Sequence, residues 1–282
     1  MTTTLRVPAS SANLGPGFDA LGLALSLYLD FSFAIDPSRV MGEPCSTTDE
    51  HHLAVRTFRG AGGVGPAHVA ANFAGGRGMG FSGAARVAGV LAARLQHGDP
   101  WQTARTHAFI EGSRLEGHAD NVGASVMGGL VAVANAPHGD PHVVRVPIAL
   151  DIGVVVWVPQ TETSTKSSRT LLPDVVPFGD AVFNIGRSAL LDAALGAGDI
   201  DALRVACDDR LHQDRRFERV PDSRAARDAF LQHGAWCSWL SGSGPAVAAL
   251  CDPAMAPNFA QHLPKTGRTV VCAIDTEGTR YL

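Results

Sequence analysis

The chain has 282 residues, of which 45% are hydrophobic and 18% are charged, so it is long enough for one large or two smaller domains with a buried core. A formal net charge of −4 without a long basic run argues against nucleic-acid binding, and no apolar run is long enough for a membrane span. The five cysteines form no C-x-x-C pair and the N-terminal residues show no signal-peptide pattern, so we expect a cytoplasmic protein with reduced thiols.

Hydrophobic periodicity predicts a mixture of strands and helices along the chain. Strands are predicted, in chain order, at residues 5–7 (which Pro8 would close), 30–35, 130–134, 143–146, 152–158, 246–251 and 269–274. Helices are predicted at residues 84–95, 102–111, 180–195, 200–212 and 224–233. Because these elements lack a regular βαβ rhythm, we expect an α+β fold rather than a doubly wound sheet, with domains at residues 1–150 and 151–282.

A glycine-rich loop at residues 75–85, GGRGMGFSGAA, leads into the first predicted helix. Such a loop directs unpaired backbone N–H groups and the positive end of the helix dipole at one point, which is a geometry that binds phosphate. Ser82 lies at the junction, where its hydroxyl could cap the helix or reach a phosphate-bound Mg²⁺.

Two other interpretations of this loop are weaker. Gly78, Gly80 and Gly83 match the dinucleotide pattern G-x-G-x-x-G, but Pro66 lies in the preceding segment and the first acidic residue after the loop, Asp99, falls in a turn. A Walker A loop is excluded because the segment contains no lysine. A tight loop that packs against its own helix, without a ligand, stays open at this point.

Further motifs flank the loop in a fixed order. They are VPASSANLGPGFDALG at 7–22, GHADNV at 117–122 followed by Gly128-Gly129, Ser164-Thr165 with Arg169 and Leu172-Pro173, DRLH at 209–212 with Arg216, and SGSGP at 241–245. With these motifs the chain resembles the GHMP kinase superfamily, and within it the homoserine kinase family, over nearly its whole length.

The resemblance implies a two-domain α+β GHMP kinase fold. Its N-terminal domain (1–150) would be S5-like and bind the nucleotide, its C-terminal domain (151–282) would be ferredoxin-like, and the active-site cleft would lie between them. The implied reaction is ATP-dependent phosphorylation of the side-chain hydroxyl of L-homoserine, as in threonine biosynthesis. A kinase for threonine or another small hydroxy acid, or a ligand-binding homologue with weakened catalysis, stays as an alternative. The implied cofactors are ATP and Mg²⁺, and a homodimer is expected because relatives often dimerise.

The resemblance also assigns residues to the amino-acid substrate. Substrate contacts are implied for Asn13, Asp19, His118, Thr165, Arg169 and Arg216, and catalytic roles for Asp120, Asn121 and Arg169. Two guanidinium groups suit a substrate carboxylate, Asp19 suits its ammonium group, and Asn121 would lie nearest the reacting hydroxyl. Asp120 is the candidate base, although transfer by positioning and charge neutralisation needs no strong base. Asn13 and Asp19 could instead be loop caps, and we interpret His212 as structural.

The resemblance assigns the nucleotide and the metal ion to residues between 76 and 116. The implied nucleotide-binding residues are Gly76, Arg77, Gly78, Met79, Gly80, Phe81, Ser82, Gly83 and Ala84. The implied Mg²⁺ ligands are Ser82 and Glu111. Glu116 is an alternative to Glu111, because the segment from 111 to 118 is one residue shorter than the usual spacing.

The chain departs from the family pattern in the same region. Phe81 replaces a serine, Gly83 replaces an alanine, and Arg86 stands where the family has a small or aliphatic residue. We expect Phe81 to add bulk beside the phosphates and the additional glycine to let the backbone approach them. His52 stands where the family has asparagine on the adenine side, within a shortened segment at 41–74.

Overall fold

The computed structural model describes residues 2–36, 49–134, 136, 139–163 and 165–282. The side chains of Thr165 and Lys166, all of Ser164, and residues 41–48 of the shortened segment lie outside this description. No helix in the described ranges is long and apolar enough to cross a membrane.

The described residues form the mixture of strands and helices that the sequence predicts. The strands are β1 (Thr2–Asn13), β2 (Gly17–Ala34), β3 (Ala67–Ala71), β4 (Leu130–Ala134), β5 (His142–Val146), β6 (Gly153–Pro159), β7 (Cys237–Leu240), β8 (Val247–Cys251), β9 (Gly267–Cys272) and β10 (Arg280–Tyr281). The helices are α1 (Leu53–Gly60), α2 (Phe81–Gln96), α3 (Trp101–Glu116), α4 (Asp120–Met127), α5 (Thr165–Arg169), α6 (Phe178–Ala197), α7 (Ile200–Ala206), α8 (Gln213–Phe217) and α9 (Pro221–Gln232), and a 3₁₀ helix spans Pro253–Gln261.

The first sheet is antiparallel and has the strand order β10-β1-β2-β4-β5, with β3 paired to β2. Its centre is the long hairpin of β1 and β2, whose register shifts between Pro8 and Ala9. Proline lacks the N–H that a strand ladder needs, and the bulge lets β1 continue past it. The predicted end of this strand at Pro8 is therefore wrong, and β1 extends to Asn13 at the edge of the cleft.

The second sheet has the order β7-β8-β6-β9, and every pair in it is antiparallel. Along the chain its elements follow as β6, helices, β7, β8, the 3₁₀ helix and β9, which is the ferredoxin-like arrangement that the resemblance implies. Phe230 on α9 and Phe259 on the 3₁₀ helix pack with their ring centroids 5.2 Å apart, on the face of this sheet that also buries Trp157. The α+β prediction is confirmed.

Helix α2 is the central helix on the first sheet, and it contacts α1, α3, β1 and β2. Its alanines and glycines let neighbouring backbones approach: a Cβ at Gly89 would lie 2.6 Å from the carbonyl oxygen of Ala54 on α1. On the other side of α1, Phe58 packs against Phe31 of β2 with centroids 5.5 Å apart. The start of α2 is thereby held rigidly beside β1.

Several boundaries differ from the sequence prediction, among them the start of β2, at Gly17 rather than residue 30, and the end of α3, at Glu116 rather than residue 111. The predicted helix over 200–212 ends at Ala206, because Asp209 accepts hydrogen bonds from the backbone N–H groups of Leu211, His212 and Gln213 and so caps the separate helix α8. Residue 150 separates the strands of the two sheets except at the C-terminal end, where β10 returns to pair with β1. The division of the chain at residue 150 is therefore incomplete for these last residues.

The glycine loop gives a test of the packing. Gly80 has φ +66°, and a Cβ there would collide with Ser10 Oγ on β1, so we expect Gly80→Ala to lower the free energy of unfolding by about 2 kcal/mol. Gly186→Ala in α6 is the matched control: nothing lies within 4 Å of its Cβ, and alanine should raise the stability by about 0.5–1 kcal/mol. Urea denaturation of both variants measures the two changes, and equal changes would contradict the role assigned to Gly80.

Candidate active site

A cleft opens where the hairpin turn after β1, the glycine loop before α2, the start of α4 and the loops of the second sheet meet. Its lining includes many of the residues that the sequence assigns to a site: Asn13, Asp19, Gly76, Gly78, Gly80, Phe81, Ser82, His118, Asp120, Asn121, Arg169 and Arg216. It also includes residues that were not assigned: Phe18, Thr163, Gly242 and Ser243. Phe18 lies at the start of β2, Thr163 in the segment after β6, and Gly242 and Ser243 in the turn after β7, and none of these places carries a periodic signal.

The turn between β1 and β2 is held in an unusual backbone conformation. Asn13 has φ +73° and Asp19 has φ +57°, both in the left-handed region. Asn13 Nδ2 donates to the carbonyl of Gly242 over 2.9 Å, and its Oδ1 accepts from the Asp19 N–H over 3.1 Å. Asn13 therefore ties the two loops together as a cap, while the Asp19 carboxylate accepts a 2.6 Å hydrogen bond from Arg169.

Two arginines converge on the ring of Phe18. The Cζ atoms of Arg169 and Arg216 lie 5.3 and 5.2 Å from the ring centroid, within the range of cation–π attraction. Arg216 is buried, and burial together with the charge of Arg169 lowers the pKa of Arg216 to about 10. Burial also acts to lower the pKa of Arg169, but its hydrogen bond to Asp19, together with the negative charges of Asp19, Asp120 and Glu116, outweighs burial and raises the pKa. Two neighbouring cations, one of them buried, favour an anion between them.

His212 holds Arg216 in place. Its Nε2 lies 2.7 Å from the carbonyl oxygen of Gly15 and so donates to it, which leaves Nδ1 to accept from Arg216 Nη1 over 3.3 Å. Arg216 Nη1 also donates to the carbonyl of Gly242, whereas its Nε has no hydrogen-bond partner in the described residues. Burial lowers the pKa of His212, so its ring is neutral, in agreement with the structural interpretation.

The glycine loop presents the start of α2 to the cleft. Gly80 is the N-cap, no side chain caps the helix, and its first turn contains no acidic residue. The loop is wedged in place: Ser10 N–H donates to the carbonyl of Met79 over 3.1 Å, and Ser241 Oγ donates to the carbonyl of Gly78 over 2.5 Å. A helix start with free N–H groups and a positive dipole end suits a phosphate group.

Phe81 lines the cleft, but its ring is held to one side. Its centroid lies 5.6 Å from that of Phe73 and 5.8 Å from that of His52, and both contacts are edge-on. The bulk that the sequence places beside the phosphates therefore belongs to an aromatic wall formed by Phe73, Phe81 and His52. Burial lowers the pKa of His52, which favours a neutral ring in this wall.

The structure pairs Ser82 with Glu116 and separates it from Glu111. Ser82 Oγ donates to Glu116 Oε1, whereas Glu111 forms an ion pair with Arg94 in a different groove. Both glutamates lie on α3, but five residues of an α-helix turn through about 500°, which places the two side chains about 140° apart around the axis. The structure therefore places the alternative, Glu116, beside Ser82 and places Glu111 away from it, and the choice of the Mg²⁺ ligand stays a prediction.

The start of α4 supplies a buried polar cluster. His118 Nδ1 lies 2.6 Å from Asp120 Oδ1, which also accepts from the Asn121 N–H over 2.7 Å, and Ser10 Oγ donates to Asn121 Oδ1 over 2.9 Å. Burial acts to lower the pKa of His118, but Asp120 outweighs it and raises the pKa above its usual value. Ligand atoms of Asp19, His118 and Asp120 lie within 4.8 Å of one another, so this end of the cleft holds two carboxylates and an imidazole at close range.

The segment after β6 closes over the loops. Thr163 N–H donates to the carbonyl of Gly76 over 3.0 Å, and Thr163 Oγ1 donates to the carbonyl of Gly244 over 2.7 Å. Thr165 begins α5, and its side chain lies outside the described residues. Arg77, Met79, Gly83 and Ala84 belong to the loop and the first turn of α2, but their side chains do not line the cleft. Arg77 instead donates to the carbonyl of Pro159 and pairs with Glu162.

The chain is similar in sequence to known proteins over most of its length. A family model described as the C-terminal part of GHMP kinases matches residues 191–269. A homoserine kinase from Thermus thermophilus is 39% identical over 285 residues, covering 96% of this chain and 95% of that protein. A homoserine kinase from Streptomyces avermitilis is 40% identical, covering 91% of this chain and 88% of that protein.

Solved structures share the fold. A homoserine kinase from Cytophaga hutchinsonii matches with a TM-score of 0.81 and 23% identity, covering 100% of this chain and 97% of that one. A mevalonate kinase from L. major in complex with R-mevalonate matches with a TM-score of 0.70 and 14% identity, covering 98% of this chain and 95% of that one. On the sequence relationship over nearly its whole length, the chain belongs to the homoserine kinase family within the GHMP kinases and is a phosphotransferase with an alcohol group as acceptor.

Proposed function

We propose that this protein transfers the terminal phosphoryl group of ATP to the side-chain hydroxyl of L-homoserine, forming O-phospho-L-homoserine for threonine biosynthesis. The observation that carries this proposal is one cleft with an uncapped helix start on one side and two converging arginines on the other. The first suits a phosphate chain and the second suits the carboxylate of an amino acid. Relatives named homoserine kinase, 39% and 40% identical, support the choice of acceptor.

The head group of the acceptor matches the charges of the cleft. Arg169 Nη2 and Asp19 Oδ1 lie 2.6 Å apart and pair with each other. With the zwitterionic acceptor bound, the Arg169 guanidinium would bind the carboxylate of the acceptor, and the Asp19 carboxylate would bind its ammonium group. Arg216 adds the second guanidinium, and its Nε, which lacks a partner in the described residues, offers an unused donor. Asn13 shapes this end of the cleft by holding the Asp19 loop.

The nucleotide would extend along the glycine loop. Its phosphates would accept hydrogen bonds from the free N–H groups at the start of α2, where the helix dipole adds favourable charge. The aromatic wall of Phe73, Phe81 and His52 would border the base.

The family resemblance implies Mg²⁺, and the residues fit it. A serine hydroxyl and a carboxylate are the hard oxygen ligands that Mg²⁺ takes alongside phosphates and water, and Ser82 and Glu116 lie in hydrogen-bond contact at the lining of the cleft. Ser82 and Glu116 would hold the ion. When bound, it would neutralise charge on the transferred phosphoryl group.

The remaining groups position the acceptor. Asn121, fixed by Ser10 and by Asp120, would lie beside the reacting hydroxyl, and the guanidinium of Arg169 would stabilise charge on the phosphoryl oxygens. His118 would contact the acceptor at the same end of the cleft. Asp120 orders both His118 and Asn121, and this role needs no strong base. A homodimer is an expectation that rests on the family resemblance alone, and a cytoplasmic location is an expectation that rests on the scattered cysteines.

The function is tested with purified protein, ATP and Mg²⁺ against a panel of homoserine, threonine, mevalonate and pantoate. We expect the highest kcat/KM on L-homoserine. Preferred turnover of another acceptor would sink the substrate assignment, and tight amino-acid binding without any ATP turnover would favour the ligand-binding alternative.

The carboxylate clamp gives a first prediction. Arg169→Ala and Arg216→Ala should each reduce kcat/KM for homoserine, because a charge-assisted contact to the substrate is lost. The reduction should correspond to a loss of about 2–4 kcal/mol of transition-state stabilisation. Arg204→Ala is the matched control, since this arginine is exposed on α7 and pairs with Asp201 of the same helix. Wild-type kinetics in both cleft variants would mean that the acceptor is not held as an amino acid.

The two glutamates of α3 give a second prediction. Glu116→Gln should reduce kcat by at least about 100-fold, because an amide removes the charged ligand beside Ser82. Glu111→Gln, which loses only the partly exposed pair with Arg94, should keep kcat within about twofold of wild type. Steady-state kinetics at saturating ATP and Mg²⁺ compares the two, and the reverse order would restore Glu111 as the ligand.

His212 gives a prediction about pH. Its folded-state pKa lies below the unfolded value because the ring is buried, so the unfolded chain binds a proton first and stability is lost as the pH falls below about 6.5. The loss should approach at most about 1.4 kcal/mol per pH unit. His212→Gln removes the titrating ring and with it this pH-dependent loss of stability. The difference in free energy of unfolding between wild type and variant should therefore be smaller at pH 5.5 than at pH 7.5. Urea denaturation at several pH values measures the gap; a constant gap contradicts a neutral buried His212.

A further inference from the structure

Arg86 and Ser82 each contact one of the two carboxylate oxygens of Glu116. The two residues are four positions apart on α2, so their side chains lie on one face of the helix. Arg86 Nη1 lies 2.5 Å from Glu116 Oε2, while Ser82 Oγ donates to Oε1. The Glu116 side chain is only 8% exposed, so these neighbours determine where its carboxylate lies.

The charges around Glu116 come from two sides. His118 Nε2 lies 3.8 Å from Oε1, on the side of the cleft. Arg86 is 22% exposed and reaches the groove between α1, α2 and α3, so water can solvate the outer part of its guanidinium.

We propose that Arg86 is a positioning residue that leaves Glu116 only one free oxygen for a metal ion and thereby makes the site select Mg²⁺ over Ca²⁺. The inference rests on the proposed role of Glu116 as a metal ligand. A guanidinium on Oε2 prevents both oxygens of the carboxylate from binding one ion. Ca²⁺ often takes a carboxylate through both oxygens and accepts irregular geometry, whereas Mg²⁺ takes single oxygens in a near-octahedral arrangement.

The physical consequence differs for the two ions. Removing Arg86 frees the second oxygen and takes away a positive charge beside the carboxylate. The lost charge helps both ions equally, because both carry the same charge. The freed oxygen helps Ca²⁺ more, because Ca²⁺ can use it. The ratio of the two dissociation constants therefore isolates the positioning effect from simple electrostatics.

Calorimetric titration of Mg²⁺ and Ca²⁺ into the protein saturated with a non-hydrolysable ATP analogue measures the ratio. In Arg86→Met, which keeps a long apolar stem, we expect Ca²⁺ to bind about tenfold more tightly and Mg²⁺ to gain less than about threefold. Arg94→Met is the matched control: Arg94 pairs with Glu111 between the same two helices, away from Ser82, and both constants should stay unchanged. If Arg86→Met does not fold, as judged by its unfolding transition, Arg86→Gln carries the same test.

The outcomes separate this inference from the proposed function. Equal gains for both ions, or no change, in the Arg86 variant contradict the positioning role. Glu116→Gln should weaken both ions, and adding Arg86→Met to it should no longer alter their ratio. If Glu116→Gln leaves metal binding intact, the proposed metal site itself fails, whatever the Arg86 variant shows.

Discussion

The close approach of three backbones is the constraint on which the rest of the structure depends. The glycine loop lies against β1 through the hydrogen bond from Ser10 N–H to the carbonyl of Met79, and against the 241–245 turn through Ser241 Oγ. Side chains at Gly78 and Gly80 would collide with these neighbours, so the loop can enter this space only without a Cβ. The contact joins elements of both sheets and directs the start of α2 into the cleft between them.

Charged side chains of the cleft lie beside groups of opposite charge, and one buried cation is left for a ligand to complement. Arg169 pairs with Asp19, His118 lies against Asp120, and Glu116 is met by Arg86 from the neighbouring groove, so each buried carboxylate has a partner. Arg216 is the exception, because it lies buried against carbonyl groups and a neutral His212. A zwitterionic acceptor and an anionic nucleotide would add the charges that complement this set.

The sequence predicted the parts of the site that depend on motifs, and it missed those that depend on helical phase, turns and side-chain packing. The glycine loop, the two arginines and the 117–122 motif meet in one cleft because each motif encodes a local backbone geometry. The choice between Glu111 and Glu116 depends on the angle between their side chains around the axis of α3. The shortened segment between residues 111 and 118 was the one sequence feature that favoured the alternative. The course of β1 past Pro8 required a bulge, and β10 has two residues and no periodicity to detect. The position of the Phe81 ring depends on its packing against Phe73, which lies outside the motif and was not assigned to the site.

The central claim is that this cleft holds an amino acid by its carboxylate opposite a phosphate-binding helix start. The most direct measurement compares kcat/KM for L-homoserine and for 3-aminopropan-1-ol, which keeps the amine and the hydroxyl but lacks the carboxylate, in the wild type and in Arg216→Ala. The account predicts that the wild type prefers homoserine by at least about 100-fold and that the variant loses most of this preference. A preference that is absent in the wild type, or unchanged in the variant, would contradict it.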